Sequence, residues 1–187
     1  VDTGSLIWGA GSVQPDWASE GVVSWAVGPE GRVEFRATAS DRDWQNSRGS
    51  WFWNQGTVRQ VGESTRLRFL NLNVTNDGVW EVLAGHAEVL GGWVQSGRLS
   101  VADGASLRVS DDQGPPVSLA PGAVMEGAGA ISFRRTPTRL AGRFAVSGGA
   151  LFESLAVEIT GALEPGAGSL TDRKSTLLNS SHANISY

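Results

Sequence analysis

The side chains in this sequence able to move a proton, hold a cation or stack on a ligand are few and unevenly spread. Acids in loop-like settings are Asp41, Asp43, Asp77, Asp103, Asp111 and Asp112. Cleavage of a polysaccharide needs paired carboxylates on neighbouring elements, one to protonate and one to activate water or attack. These six follow no common spacing, so each is expected to be a solvated loop acid. His86 is the one histidine before residue 172, lysine is missing from residues 1–171, and no serine sits in a strand-turn-helix elbow; nucleophilic catalysis is therefore unsupported. Asp111-Asp112 offers oxygen atoms to a hard cation, but neither an EF-hand loop nor a glycine-aspartate nonapeptide surrounds it. Gly127-Ala128-Gly129 is not followed by a helix pattern, so it is no phosphate cradle. No catalytic residue, metal ligand or cofactor is assigned, and the chain is expected not to be an enzyme.

Aromatic stacking is the chemistry that the composition favours. Eight tryptophans stand at 8, 17, 25, 44, 51, 53, 80 and 93. Indole faces suit the apolar faces of sugars, and they suit core and corner filling equally well. Trp44, Trp51 and Trp53 flank the polar run Ser40–Gly49, which is rich in turn formers and expected to protrude as an exposed loop. These three are the candidate ligand-binding residues. Trp25 and Trp80 lie within alternating runs and are expected in the core.

The elements that must carry these residues are short strands. A glycine-led phrase recurs as Gly78-Val79-Trp80-Glu81-Val82, Gly97-Arg98-Leu99-Ser100-Val101, Gly142-Arg143-Phe144-Ala145-Val146 and Gly161-Ala162-Leu163, and the step from 78 to 97 equals the step from 142 to 161. A fixed period of about 20 residues with one short strand per turn suits stacked β-coils, because a coil buries its apolar face only against a neighbour. Alternation of period 2 predicts that Leu99, Val101, Leu107 and Val109 face inward, that Arg98, Ser100, Ser106 and Arg108 face outward, and that Ala102-Asp103-Gly104 makes a corner. No segment keeps apolar residues at helical spacing, so almost no helix is expected. Asp111–Pro116 cannot continue a central strand and is expected to be a loop insertion.

Composition narrows the classes. Hydrophobic residues make up 40% and charged residues 18%, which suits a folded chain. The 25 glycines against 7 prolines have no collagen period, and they are expected at turns with positive φ. The net charge of −4 and the absence of a basic patch argue against a nucleic-acid partner. No apolar run is long enough to span a bilayer as a helix. The lack of cysteine excludes a disulfide scaffold without fixing a compartment. Val1 is not an initiator methionine, so the chain is expected to be an internal fragment whose partners include the remainder of the same polypeptide.

The ordered phrases Asn54-Gln55-Gly56-Thr57-Val58, Asn76-Asp77-Gly78-Val79-Trp80-Glu81-Val82, Val101-Ala102-Asp103-Gly104-Ala105-Ser106-Leu107, Glu126-Gly127-Ala128-Gly129-Ala130 and Leu163-Glu164-Pro165-Gly166 resemble the repeat regions of large bacterial surface and autotransporter-passenger-like proteins. The resemblance runs from about 54 to 170. It implies a right-handed parallel β-helix with coils of roughly 19–22 residues, the short end of the range for stacked repeats. It also implies secretion to the cell surface or outside, and a structural or adhesive role with glycans or neighbouring cell surfaces as partners. After Thr171 the composition changes, and the tail carries the only lysine and the only tyrosine. Residues 172–187 resemble a translated sequencing adapter fused to an open reading frame.

The expected plan is thus 1–53 as tryptophan-rich irregular coils, 54–171 as regular solenoid continuous with them, and 172–187 as a non-native or disordered tail. An antiparallel β-sandwich is the alternative fold. A carbohydrate-binding module and a fragment of a polysaccharide-degrading β-helix enzyme are the alternative functions.

Overall fold

A computed structural model describes residues 5–8, 24–36, 42–62, 66–110, 115–153, 156–164, 170–172 and 176–179, with backbone alone for 5–8, 42–48, 170, 172 and 176–179. The chain lays down β1 (Ser5–Trp8) and β2 (Ser24–Val27), then β3 (Arg32–Phe35) and the long β4 (Arg42–Asn54), then β5 (Thr57–Gln60) and the long β6 (Arg66–Asn76). Shorter strands follow in triplets: β7 (Val79–Val82), β8 (His86–Leu90) and β9 (Trp93–Gln95); β10 (Arg98–Val101), β11 (Ser106–Ser110) and β12 (Val117–Leu119). Next come β13 (Val124–Gly127), β14 (Ala130–Arg134) and β15 (Thr138–Leu140), and then β16 (Arg143–Val146), β17 (Ala150–Glu153) and β18 (Ala156–Ile159). The described chain ends with β19 (Leu170–Asp172) and β20 (Thr176–Asn179), the latter within the tail and paired with β18.

Every pairing among these strands is parallel, and no helix occurs among the described residues. The fold is a β-solenoid, and the parallel ladders rule out the sandwich alternative. Three faces close each coil. The first stacks β1, β3, β5, β7, β10, β13 and β16. The second stacks the first halves of β4 and β6 with β8, β11, β14, β17 and β19, and the third stacks β2 and the second halves of β4 and β6 with β9, β12, β15, β18 and β20. Asn71 turns β6 from the second face to the third with φ 58°, a left-handed conformation that asparagine tolerates better than most residues.

Side-chain columns run down the interior. On the first face Val33, Val58, Trp80, Leu99, Met125, Phe144 and Leu163 follow one another in register. On the second, Phe69, Val89, Val109, Phe133 and Phe152 do the same. The alternation read from sequence holds: Leu99, Val101, Leu107 and Val109 are buried, while Arg98, Ser100, Ser106 and Arg108 lie on the outer side. Trp80 is buried at the centre of an aromatic cluster with Phe69 and Phe52, each 5.5 Å away, and Trp93 at 5.1 Å. Trp25 is partly buried against this core.

The register explains the repeat. Val79 pairs with Arg98, Val124 with Arg143 and Phe144 with Leu163, and each pair is a single coil step with the spacing of the repeat glycines. The step from Arg98 to Val124 is longer, because the segment between β11 and β12 is long; of the expected insertion Asp111–Pro116, residues 111–114 lie outside the described residues. The phrase-leading glycines answer to a different demand from the one expected. Positive φ belongs to Gly49, Gly85, Gly104, Gly122, Gly127 and Gly149, and not to the glycines that open the repeats. Those occupy the corner from the third face to the first, where a Cβ at Gly97 would lie 2.1 Å from the Gly78 carbonyl oxygen and one at Gly161 2.0 Å from that of Gly142. Close approach of stacked backbones selects them.

The polar run at 40–49 also differs from expectation. From Arg42 its backbone is strand, with Arg42–Gln45 paired to Leu67–Leu70 and Ser50–Asn54 to Leu72–Asn76. Residues 46–49 stand against the single corner residue Asn71, so the polar composition makes a corner bulge in place of a free loop.

Candidate functional site

The second half of β4 builds the site. Phe52 is buried, and the pleat therefore sends its neighbours Trp51 and Trp53 to the outer side of the third face, where they remain 40% and 45% exposed. Trp53 donates its indole N–H to Asp77 Oδ2 at 2.6 Å. Asp77 belongs to the next coil's corner, Asn76-Asp77-Gly78, and is placed there by the backbone bond from its N–H to the Asn54 carbonyl. Alongside, Asn73 is in register with Trp51 and Thr75 with Trp53. Asn73 Oδ1 accepts from Gly92 N–H at 2.9 Å, so the hydrogens of its amide are what it can offer outward. The site thus combines two indoles, one of them pinned, with an amide, a hydroxyl and one carboxylate. The Trp44 side chain lies outside the described residues; its backbone is in register with Phe69, in the half of β4 on the second face, so the fold does not bring Trp44 together with Trp51 and Trp53.

The other sequence candidates scatter. Asp103 sits in the Ala102–Ala105 turn; Asp41, Asp111 and Asp112 lie outside the described residues, and Asp43 is described by its backbone alone. His86 has a partner that sequence reading did not supply: the register places Ser106 beside it, with Nδ1 2.7 Å from Oγ. Among the described residues that row continues to Arg66 on one side and Ala130 on the other, neither of which is a carboxylate. Among the described residues no group of three His, Cys, Asp or Glu could hold a metal ion.

The outer faces carry ladders of opposite charge. Glu126 lies between Arg98 and Arg143, and Arg143 goes on to Glu164 at 2.9 Å. Glu88 joins Arg66 and Arg108, Arg139 meets Glu158 and Arg134 meets Glu153. Glu34 is held below the ordinary carboxylate range chiefly by its hydrogen bond from Arg36, with burial opposing and Arg32 assisting. Arg143 lowers Glu164 in the same way, and Glu164 raises Arg143. A shallow hollow of about 440 Å³ on the first face is lined by Arg98, Ser100, Asp103 and Glu126, and the Glu126 carboxylate there is already shared by two guanidiniums.

Inside, amides replace hydrocarbon in one column. Asn54 Nδ2 donates to Asn76 Oδ1 and to the Val79 carbonyl, Asn76 Nδ2 donates to Gln95 Oε1 and to the Arg98 carbonyl, and Trp93 donates its indole N–H to Gln95 Oε1. Asn54, Asn76 and Gln95 stand two residues before the corner glycines Gly56, Gly78 and Gly97, and all three amides are fully buried. They brace the stack and face no solvent.

Compared with known families, curated proteins and solved structures, the chain matches none of them.

Proposed function

We propose that this chain is a structural and adhesive segment of a secreted bacterial surface protein of the autotransporter-passenger kind, non-catalytic, with the solenoid as a rigid spacer and its outer faces as contact surface. One observation carries it: a single interior column passes in register from Val33 through Trp80 to Leu163, so each coil is bonded to the next along the described stack. Such coupling lets length grow by about 4.8 Å per coil without a new core design. The right-handed sense expected of parallel crossovers belongs to the same reading. Support for a non-catalytic role comes from the outer glutamates, whose carboxylates are engaged by arginines at Glu34, Glu81, Glu88, Glu126 and Glu153 and so are poor free bases.

The test is adhesion. Beads coated with the full chain are washed over bacterial and epithelial cell layers beside albumin-coated beads of equal density. Retention above albumin on at least one surface is expected. Equal retention on every surface contradicts adhesion, and release of reducing ends from polysaccharides incubated with the chain contradicts the non-catalytic assignment.

A further inference from the structure

We propose that Trp51 and Trp53 form a binding platform for an uncharged polysaccharide, with Asp77 as the positioning residue for Trp53; this rests on the adhesive role of the outer faces and assigns it a site and a ligand class. The size of the patch decides the kind of ligand. A tryptophan presents about 150–250 Å², so two indoles at 40% and 45% exposure leave on the order of 200 Å² for contact. A specific protein interface takes about 800 Å² from each partner, several times more. A short stretch of sugar rings matches the area that the two rings offer, whereas a protein partner would need several times more surface than they supply.

The chemistry around the rings points the same way. With its N–H bonded to Asp77, the Trp53 indole has no free polar edge to solvate, and the electron-rich ring face is what it has left to offer to the C–H faces of a sugar. The strand neighbours of the pair are Ser24 and Ala26 on one side and Asn73 and Thr75 on the other, none of them charged. Their hydroxyl and amide groups match sugar hydroxyls, which both donate and accept. The charge that the pair's hydrogen bonding does reach is the Asp77 carboxylate, and it disfavours uronic-acid polymers, nucleic acid and anionic headgroups. Placing the Trp53 ring costs little on binding, because the Asp77 bond holds it beforehand.

The full chain is assayed for retention on insoluble cellulose, chitin and starch and for binding to soluble polygalacturonate, beside Trp51→Ala, Trp53→Ala, the double variant and Asp77→Ala, each checked for the parent's melting temperature. Expected are retention on at least one neutral polymer, no binding to polygalacturonate, at least a tenfold loss in the double variant and a smaller loss in Asp77→Ala. If the double variant does not fold, the two single variants carry the comparison. Equal retention of parent and variants overturns the proposal, as does preference for polygalacturonate, or tryptophan-dependent binding to phosphatidylcholine vesicles or self-association in place of polysaccharide. Cell adhesion that survives the double variant would leave the adhesive role standing and remove this site from it.

Discussion

Asn54 Nδ2 lies 2.6 Å from Asn76 Oδ1, joining two successive coils through side chains buried in the stack. The same column runs Val27, Asn54, Asn76, Gln95, Leu119, Leu140 and Ile159, so it changes from amide to hydrocarbon after Gln95. At that junction Gln95 Nε2 has no partner, because Leu119 offers none. A buried amide is stabilising when both ends are satisfied and costly when one is not.

Asn76→Ala is expected to cost about 2–4 kcal/mol, since it strips the ladder of its middle member and leaves polar atoms of Asn54 and Gln95 with fewer partners. Gln95→Leu removes the orphaned nitrogen but strips the buried Trp93 indole N–H of its acceptor and the Asn76 amide of one, so it too is expected to cost about 1–3 kcal/mol. Urea midpoints of both variants measure the losses, and values within about 0.5 kcal/mol of the parent in both would show that the ladder does not brace the stack.

Gly97→Ala and Gly104→Ala separate two reasons for glycine. A Cβ at Gly97 meets the Gly78 carbonyl oxygen at 2.1 Å, whereas one at Gly104 meets nothing within 4 Å but must accept φ +74°. The expected costs are more than about 3 kcal/mol for the first, where two backbones must part, and about 1 kcal/mol for the second. Thermal melts of the two variants decide it; equal losses would remove the close-approach explanation of the repeat.

Trp80→Ala is expected to cost about 3–5 kcal/mol, because the indole is buried and is shared by Phe52, Phe69 and Trp93. Trp53→Ala, on the outer side, is expected to change stability by less than about 1 kcal/mol. Denaturant titrations of the pair tell inward from outward on the alternating strands, and a Trp53→Ala loss matching that of Trp80→Ala would contradict the assignment of faces.

Acid should weaken the fold through Glu34 and Glu164. Both carboxylates titrate below their ordinary value of 4.5 in the folded chain. The stability they add is therefore full above that value and is lost as pH falls through the depressed folded value. The raised Arg143 leaves the neutral range flat. Melting temperature should hold between about pH 7 and 5 and fall below about pH 4, less steeply in Glu34→Gln and in high salt, since the partners Arg32 and Arg36 are about half exposed. An acid limb unchanged in Glu34→Gln would take Glu34 out of the account.

The regular coils were legible because corner and strand repeat at one length: Gly78 to Gly97 and Gly142 to Gly161 each span one coil, and Leu99, Val101, Leu107 and Val109 alternate cleanly. What stayed hidden depends on register. Arg98 and Glu126 are 28 residues apart and meet only because a long corner lies between their strands, and His86 finds Ser106 through the stacking of one coil on the next. Arg42–Gly49 has the composition of a loop, yet Arg42–Gln45 pair with β6 and only 46–49 bulge at the corner, so pairing overrides the local preference. The buried amides were concealed by their type, since Asn-x-Gly reads as an exposed turn until a second coil covers it. For the site, the position of Trp51 and Trp53 beside a polar run pointed outward, while Asp77, 24 residues from Trp53, carried no local signal of contact.

The stacking of coils is tested most directly by spin-label distances, and the absence of cysteine lets label pairs be introduced singly. Thr75, Val94, Ser118, Arg139 and Glu158 form one outward row, each in register with the next. Thr75 and Val94 are closer in sequence than Val94 and Ser118, yet each pair is one coil step. Electron-spin dipolar measurements should give the same backbone separation for both, about 5 Å, then about 10 Å for Thr75 with Ser118 and about 19 Å for Thr75 with Glu158. Separations that follow sequence distance instead of coil count, or that shorten again toward Glu158 as a folded-back sheet requires, would contradict the solenoid.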